Sequence, residues 1–347
     1  MVSRRNFLLR AAAACAIGAA SCSRDRSRLA KAAEYLWSQQ SEDGGWHSKT
    51  YGLMKSGQSL TPFVLDALLD VPADAKAAPD GAIERSIAFI KRNLKDGLLG
   101  LNGETLDYPN YGSGLALRAM CRAKAEGWQP ILAALRAQQL VDRNGWHHDD
   151  PAYGAWGMGG QIRTPPDAGH VDLAMTRYVL EGFAAAGVPA SDEAIVRAQV
   201  YLERCQNPDG GFYFSTVEAD INKAGEGSNG EKFRSYGSTT ADGILALRAC
   251  GVAKDDPRMK RAQDWLRQHH KVDRVPGFEG TARDIWSHGL RYYYMAAVSS
   301  AMPELNTPLL PARADGSWSN PVNIVKEDDP LIATPFALRV LCNHKGE

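Results

Sequence analysis

Three groups of residues in this chain have the types and spacing to do chemistry. The first is the short stretch Asp167-Ala-Gly-His170-Val-Asp172, which lies directly before a Leu/Ala-rich segment. Carboxylates beside an imidazole can pass protons. Asp172 or Asp167 in that place reads equally as a helix cap or first-turn charge, and the cap is the favoured reading. The second group is Asp242 with His288, each able to supply one metal ligand. Two ligands make neither a closed nor a catalytic zinc site, so no metal and no other cofactor is expected. The third consists of Asp149-Asp150-Pro151 and Asp328-Asp329-Pro330, carboxylate pairs that run into proline as helix starts do, and both read as caps. No Gly-x-Ser-x-Gly elbow, His-Glu-x-x-His or Gly-x-x-x-x-Gly-Lys loop occurs.

The elements that must hold these residues show as two alternating phrases. One is a helical stretch ending in Gln, then an Asp/Gly or Asn/Gly turn closed by an aromatic residue: Gln40 before Asp43-Gly-Gly-Trp46, Gln139 before Asn144-Gly-Trp146, and Gln206 before Asp209-Gly-Gly-Phe212. A further copy keeps only the turn, Asp315-Gly-Ser-Trp318. The other phrase is rich in Leu and Ala and recurs around Leu65, Leu117, Leu180, Leu247, Met295 and Leu338, which marks six units. Both carry strong helix formers with apolar residues three and four apart. Gly127, Gly187 and Gly251 fall where helices should stop.

Two helices cannot bury their apolar faces alone, so the units must stack. The Leu/Ala phrase is the less charged and suits an inner ring, with the Gln phrase as an amphipathic outer ring, so a closed toroid is favoured over an open solenoid. In the sixth unit Pro303, Pro308 and Pro311 crowd the stretch where an outer helix would lie. That helix should be missing or reduced to a turn, opening one side of the ring. The cavity lining would then come from the starts of the inner helices: Gln58, Tyr111, His170, Tyr236, Thr240, Asp242, His288, Arg291 and Tyr292. Such a ring would suit an apolar ligand with one polar end, or be filled by its own side chains. Tyr292, Tyr293 and Tyr294 cannot all face inward on one helix.

The chain has 347 residues, 44% hydrophobic and 23% charged, with 40 basic residues against 40 acidic ones. No net field exists to hold nucleic acid, which is discarded as a partner. Ser3-Arg4-Arg5-Asn6-Phe7-Leu8-Leu9 before an Ala-rich apolar stretch reads as a twin-arginine export signal. Residues 1–26 are therefore set apart as the signal segment, and 27–347 as a single toroid domain. Export implies a periplasmic protein, or a membrane-anchored lipoprotein if Cys22 is acylated; ordinary cleavage after a small residue is the alternative. Cys121, Cys205, Cys250 and Cys342 are widely spaced and read as small buried hydrophobes.

The Gln, Asp-Gly, Trp phrase resembles the QW motif of squalene-hopene and oxidosqualene cyclases. The alternation of helices resembles the all-α, α/α toroid that those enzymes share with prenyltransferase β subunits. The resemblance covers roughly residues 27–347 and implies a structural, repeat-tying role for Gln40, Trp46, Gln139, Trp146, Gln206, Phe212 and Trp318. Residues 192–294 also resemble exported bacterial prenyltransferase or squalene-oxidase repeat proteins. Two departures stand out. The Asp-x-Asp-Asp-Thr-Ala run of triterpene cyclases is reduced to Gly169-His-Val-Asp172-Leu-Ala174, and the Asp-x-Cys zinc pair of prenyltransferases becomes Asp242-Gly-Ile244. The leading expectation is an exported protein that binds, and as an enzyme would rearrange, a neutral isoprenoid or similar lipid. The alternatives are a non-catalytic scaffold that binds a peptide or envelope partner through the loops 146–166 and 212–236, and a carbohydrate-processing enzyme using Asp149, Asp150 and Asp172.

Overall fold

A computed structural model describes residues 25–343 apart from positions 104 and 229, so the signal segment and Cys22 lie outside the described residues. The described chain is helical, with isolated β-bridges but no strands. Helix α1 spans 25–38. It is followed by α2 (Leu60–Leu68), α3 (Ala82–Arg92), α4 (Pro109–Arg122), α5 (Gln129–Gln138), α6 (Leu173–Ala185) and α7 (Glu193–Cys205). Then come α8 (Gly237–Ala249), α9 (Pro257–His269), the short α10 (Ile285–Gly289), α11 (Arg291–Ala301) and α12 (Pro330–Asn343).

Side-chain pattern decides which helices lie inside. Helix α7 buries Ala194, Ile195, Ala198, Tyr201, Leu202 and Cys205, a single stripe at helical spacing, and presents its charges outward. Helix α2 buries every residue, and α8 buries all positions from Gly237 to Leu247, as helices enclosed on all sides must. The inner helices pack in order: α2 on α4, α4 on α6, α6 on α8, α8 on α11, α11 on α12, and α12 back on α2. This is a closed α/α toroid of six inner helices with α1, α3, α5, α7 and α9 outside. Aspartates start several helices: Asp172, Asp192 and Asp256 each accept a first-turn amide of α6, α7 and α9. Asp329 does the same for α12 by accepting from Leu331 N.

The sixth outer helix is absent, as the prolines require: no helix occurs between residues 302 and 329. The ring nevertheless stays shut, which corrects the expectation of an open side. An irregular segment takes the helix's place, with Leu305, Leu309 and Ala312 packed on the core. The Leu310 carbonyl accepts the Trp318 indole N–H at 2.8 Å, as Leu36 O accepts that of Trp46 at 2.7 Å. Gly316 then abuts α1, where an added Cβ would lie 2.8 Å from Lys31 O.

Neighbouring units are tied by glutamine amides. Gln40 donates to Ala82 O of α3, Gln139 to Ala194 O of α7, and Gln206 to Arg258 O of α9, each at 2.9 Å. The aromatic residue of each turn sends its backbone N–H to a hydroxyl on the next inner helix. Trp46 reaches Thr61, Phe212 reaches Thr240 and Trp318 reaches Thr334. In the Gln139 unit that place belongs to Trp156, whose N–H reaches Thr176 and whose indole donates to Leu135 O. Trp146 sits elsewhere, its indole on Arg163 O, so the aromatic register of that unit is corrected by ten residues of intervening turn. Asp150 accepts from His147 N and closes a turn there, and no helix begins at Pro151.

Gly154 shows how tight the joints are. It holds φ at +87°, and an added Cβ would stand 2.0 Å from Arg197 O of α7. Gln139 is fully buried and satisfies both Gly154 O and Ala194 O. Gln139→Ala would leave the Gly154 carbonyl unpaired and cut the tie to Ala194 O, and urea unfolding should show a loss of about 1 to 3 kcal/mol with an unchanged far-UV spectrum.

Candidate active site

The inner helices all present their N-terminal ends to one cavity of about 380 Å³. It is bounded by Leu60 and Phe63 of α2, Tyr111 of α4, Met175 of α6, Tyr236 and Asp242 of α8, Tyr293 of α11, and Phe336 of α12. The long connections close over it with Met158 and His170, Phe214 and Lys223, and the run from Ile324 to Glu327. Its size falls within the roughly 300 to 1,000 Å³ of small-molecule pockets, and its walls are mostly aromatic and aliphatic.

A chain of charges runs along the floor, with Asp66, Arg177 and Asp242 buried and Arg118 and Arg122 partly exposed. Asp66 of α2 is fully buried and meets Arg122 at 2.6 Å, Arg118 at 3.6 Å and Arg339 in a short contact. Arg118 continues to Glu181 at 2.7 Å, and Glu181 to Arg177 at 3.2 Å. Arg177 reaches Asp242 at 2.9 Å, and the Tyr293 hydroxyl donates to the same carboxyl, 2.9 and 2.8 Å from its two oxygens. The Tyr293 ring meets Phe336 edge-on at 5.4 Å. Every inner helix thus contributes at least one link, and α4 and α6 contribute two each.

Identical acids differ here by environment. Burial would raise the Asp66 carboxyl, but Arg118, Arg339 and Arg122 overcome it and hold the group well below the usual carboxylate range. At Asp242 burial prevails over Arg177 and the Tyr293 hydroxyl, and the carboxyl is pushed up to about 6. Glu327 caps α11 by accepting from Tyr292 N, Tyr293 N and Asn320 Nδ2. Burial nevertheless pushes its carboxyl up to about 7. Asp172 divides its oxygens: Oδ1 accepts Met175 N at 2.7 Å as the α6 cap, and Oδ2 meets His170 Nε2 at 2.9 Å. That hydrogen bond raises the His170 pKa against the opposing effect of burial.

Of the residues expected from sequence, Asp172, His170, Asp242, Tyr111 and Tyr236 line the cavity. Five others do not. Gln58 spends its amide on Gly100 N and Asn102 O, bracing a loop. Thr240 bridges Phe212 N and Tyr236 O, and Arg291 turns outward to Asp273 O. His288 is carried by α10, its carbonyl accepting from Asn320 Nδ2, and it does not line the cavity with Asp242. Tyr292 is buried in the wall and its neighbour Tyr293 faces the cavity, one helical position making the difference. Tyr294 points away and its hydroxyl meets His270 Nδ1 at 2.7 Å. Asp167 pairs with Arg163 at the surface, and Asp149 is fully exposed, so no carboxylate set of Asp149, Asp150 and Asp172 converges. Sequence reasoning missed Lys223, Glu327 and the whole arginine network, because isolated charges in loops and in Leu-Arg-Ala phrases carry no spacing signal.

Comparison with known proteins fits this geometry. Residues 168–278 match the sequence model of the squalene-hopene cyclase C-terminal domain. No curated protein matches the chain. A variant of the type II terpene cyclase MstE from Scytonema, in complex with its product merosterolic acid A, superposes with a TM-score of 0.56 at 17% identity, covering 93% of this chain and 97% of that one. Another MstE variant, with its substrate geranylgeranyl dihydroxybenzoate, gives 0.54 at 17% identity over 94% and 97%. A D-mannose isomerase also reaches 0.56, at 11% identity over 93% and 96%. The chain has the α/α toroid fold of these structures, and its sequence match to squalene-hopene cyclases spans residues 168–278. At these identities the likeness establishes the fold alone.

The network makes one strong claim about stability. Asp66 is ionised in the folded protein, so its contribution is complete above the ordinary carboxylate pKa and disappears as pH falls towards its depressed folded value. Asp66→Asn should cost about 3 to 5 kcal/mol at neutral pH and flatten the acid limb of a pH-stability curve; an unchanged acid limb would remove Asp66 as the keystone.

Proposed function

We propose that the chain binds an isoprenoid or similar lipid in the toroid cavity and rearranges it by proton transfer from Asp242. The observation that carries this reading is a buried carboxyl, pushed up to about 6, opening onto an aromatic-walled cavity. Burial lets Asp242 hold its proton, and Arg177 and Tyr293 stand ready to stabilise the carboxylate once the proton leaves. The rings of Tyr111, Tyr236, Phe63, Phe214 and Phe336 can face the positive charge that develops on a protonated alkene. A second proton lost from the carbocation restores the acid, so the change is an isomerisation without net consumption of protons.

Asp172 is reassigned from proton donor to positioning residue, since one oxygen caps α6 and the other holds His170. A sugar substrate is disfavoured by the predominantly apolar lining, although a sugar isomerase shares the fold equally well. A scaffold with a filled ring is disfavoured by the cavity itself. We further propose export by the twin-arginine route to the periplasm, with Cys22 as a candidate acylation site.

Native mass spectrometry of the exported protein, followed by organic extraction, should recover a bound isoprenoid or related lipid. With that compound as substrate, Asp242→Asn should abolish turnover while the variant still binds the compound, which checks that it is folded. Because the acid must carry its proton, wild-type kcat should fall about tenfold per pH unit above about 6. A full rate in Asp242→Asn would remove Asp242 as the donor.

A further inference from the structure

Lys223 is a charge of the cavity wall that has neither a hydrogen bond nor an ion pair among the described residues. It lies in the connection between α7 and α8, held in place by Asn222, whose side chain accepts from Phe214 N and Ser215 N and donates to Ser215 O and Glu218 O. Arg283 pins the same turn by donating to Asn222 O. The Lys223 ammonium sits 3.4 Å from the Phe214 ring centroid and 5.7 Å from that of Trp286. Among the described residues it makes no hydrogen bond and no ion pair within reach.

The other charges of the wall are accounted for. His170 is matched by Asp172, and Asp242 by Arg177. Glu327 is satisfied by three N–H donors. Lys326 has an acceptor in the Tyr108 hydroxyl at 3.3 Å. Ring faces attract an ammonium but accept no conventional hydrogen bond, so the donors of the half-buried Lys223 have no protein acceptor among the described residues. Burial accordingly pushes its pKa down to about 8, against the pull of Asp172 and Asp242. An arriving anion would relieve that cost.

We propose that Lys223 anchors a carboxylate on the ligand, so that the cavity selects an isoprenoid acid over the corresponding neutral lipid. This rests on the lipid-binding reading above and replaces the expectation of a wholly neutral ligand. The carboxylate would take charge-assisted hydrogen bonds from Nζ, while the hydrocarbon chain lies against Phe63, Tyr111, Tyr236 and Phe336.

The test is displacement of a fluorescent fatty probe by farnesoic acid and by its methyl ester at neutral pH. Wild type should bind the acid at least about tenfold more tightly than the ester. Lys223→Met and Lys223→Gln should bring the two ligands within about twofold of each other, with ester binding unchanged as the check on folding, and Lys223→Arg should keep the preference for the acid. Equal wild-type affinities, or a preference that survives in Lys223→Met, would overturn the assignment. So would a preference lost in Lys326→Met instead. If neither ligand displaces the probe from wild type, the lipid reading beneath this proposal fails with it.

Discussion

A carboxylate removed from water must be met by cations, and in this protein that requirement organises the centre of the fold. Asp66 sits at the seam where α12 returns to α2, and its three arginines come from α4 and α12. The chain of pairs that starts there crosses to α6 through Glu181, to α8 through Asp242 and to α11 through Tyr293. Removing one partner from such a set leaves a buried charge uncompensated, so the links hold each inner helix in register with its neighbours. Hydrophobic packing alone would tolerate sliding; a sequence of directional charged contacts does not.

The cavity depends on this arrangement. Because each inner helix begins at the same end, the network lies below and the helix starts form the rim, so one carboxyl, Asp242, belongs to both. Its position explains why burial dominates there while Asp66, with three arginines, stays ionised. Above the rim, the connections after α5 and α7 supply His170 and Lys223, and the segment before α12 supplies Glu327. The missing sixth outer helix leaves this end unaffected, since the segment around Leu310 still receives the Trp318 indole.

Fold likeness does not choose among chemistries here. A type II terpene cyclase and a sugar isomerase superpose on the chain equally well. What separates them is the site: apolar walls with few, individually placed polar groups are the basis of the lipid reading proposed above, and Lys223 is the basis of the proposed preference for an acid.

The sequence by itself determined the helices, their alternation and the number of units, because helix propensity and apolar spacing are local properties. It also pointed to Asp172, His170, Asp242, Tyr111 and Tyr236, since residues at inner-helix starts must face the centre of a ring. It misplaced Tyr292, Thr240 and Gln58, where a shift of one helical position or a loop's demand for hydrogen bonds decides the direction of a side chain. It also put Trp146 in the place of Trp156, because the turn between them is longer than in the other units. The residue after the repeated leucine, Asp66, Arg118, Glu181 or Arg339, read as an ordinary charge in a helical phrase. Only the closed ring brought those charges together around the buried Asp66, and ionisation in a buried site is set by neighbours that are far apart in sequence.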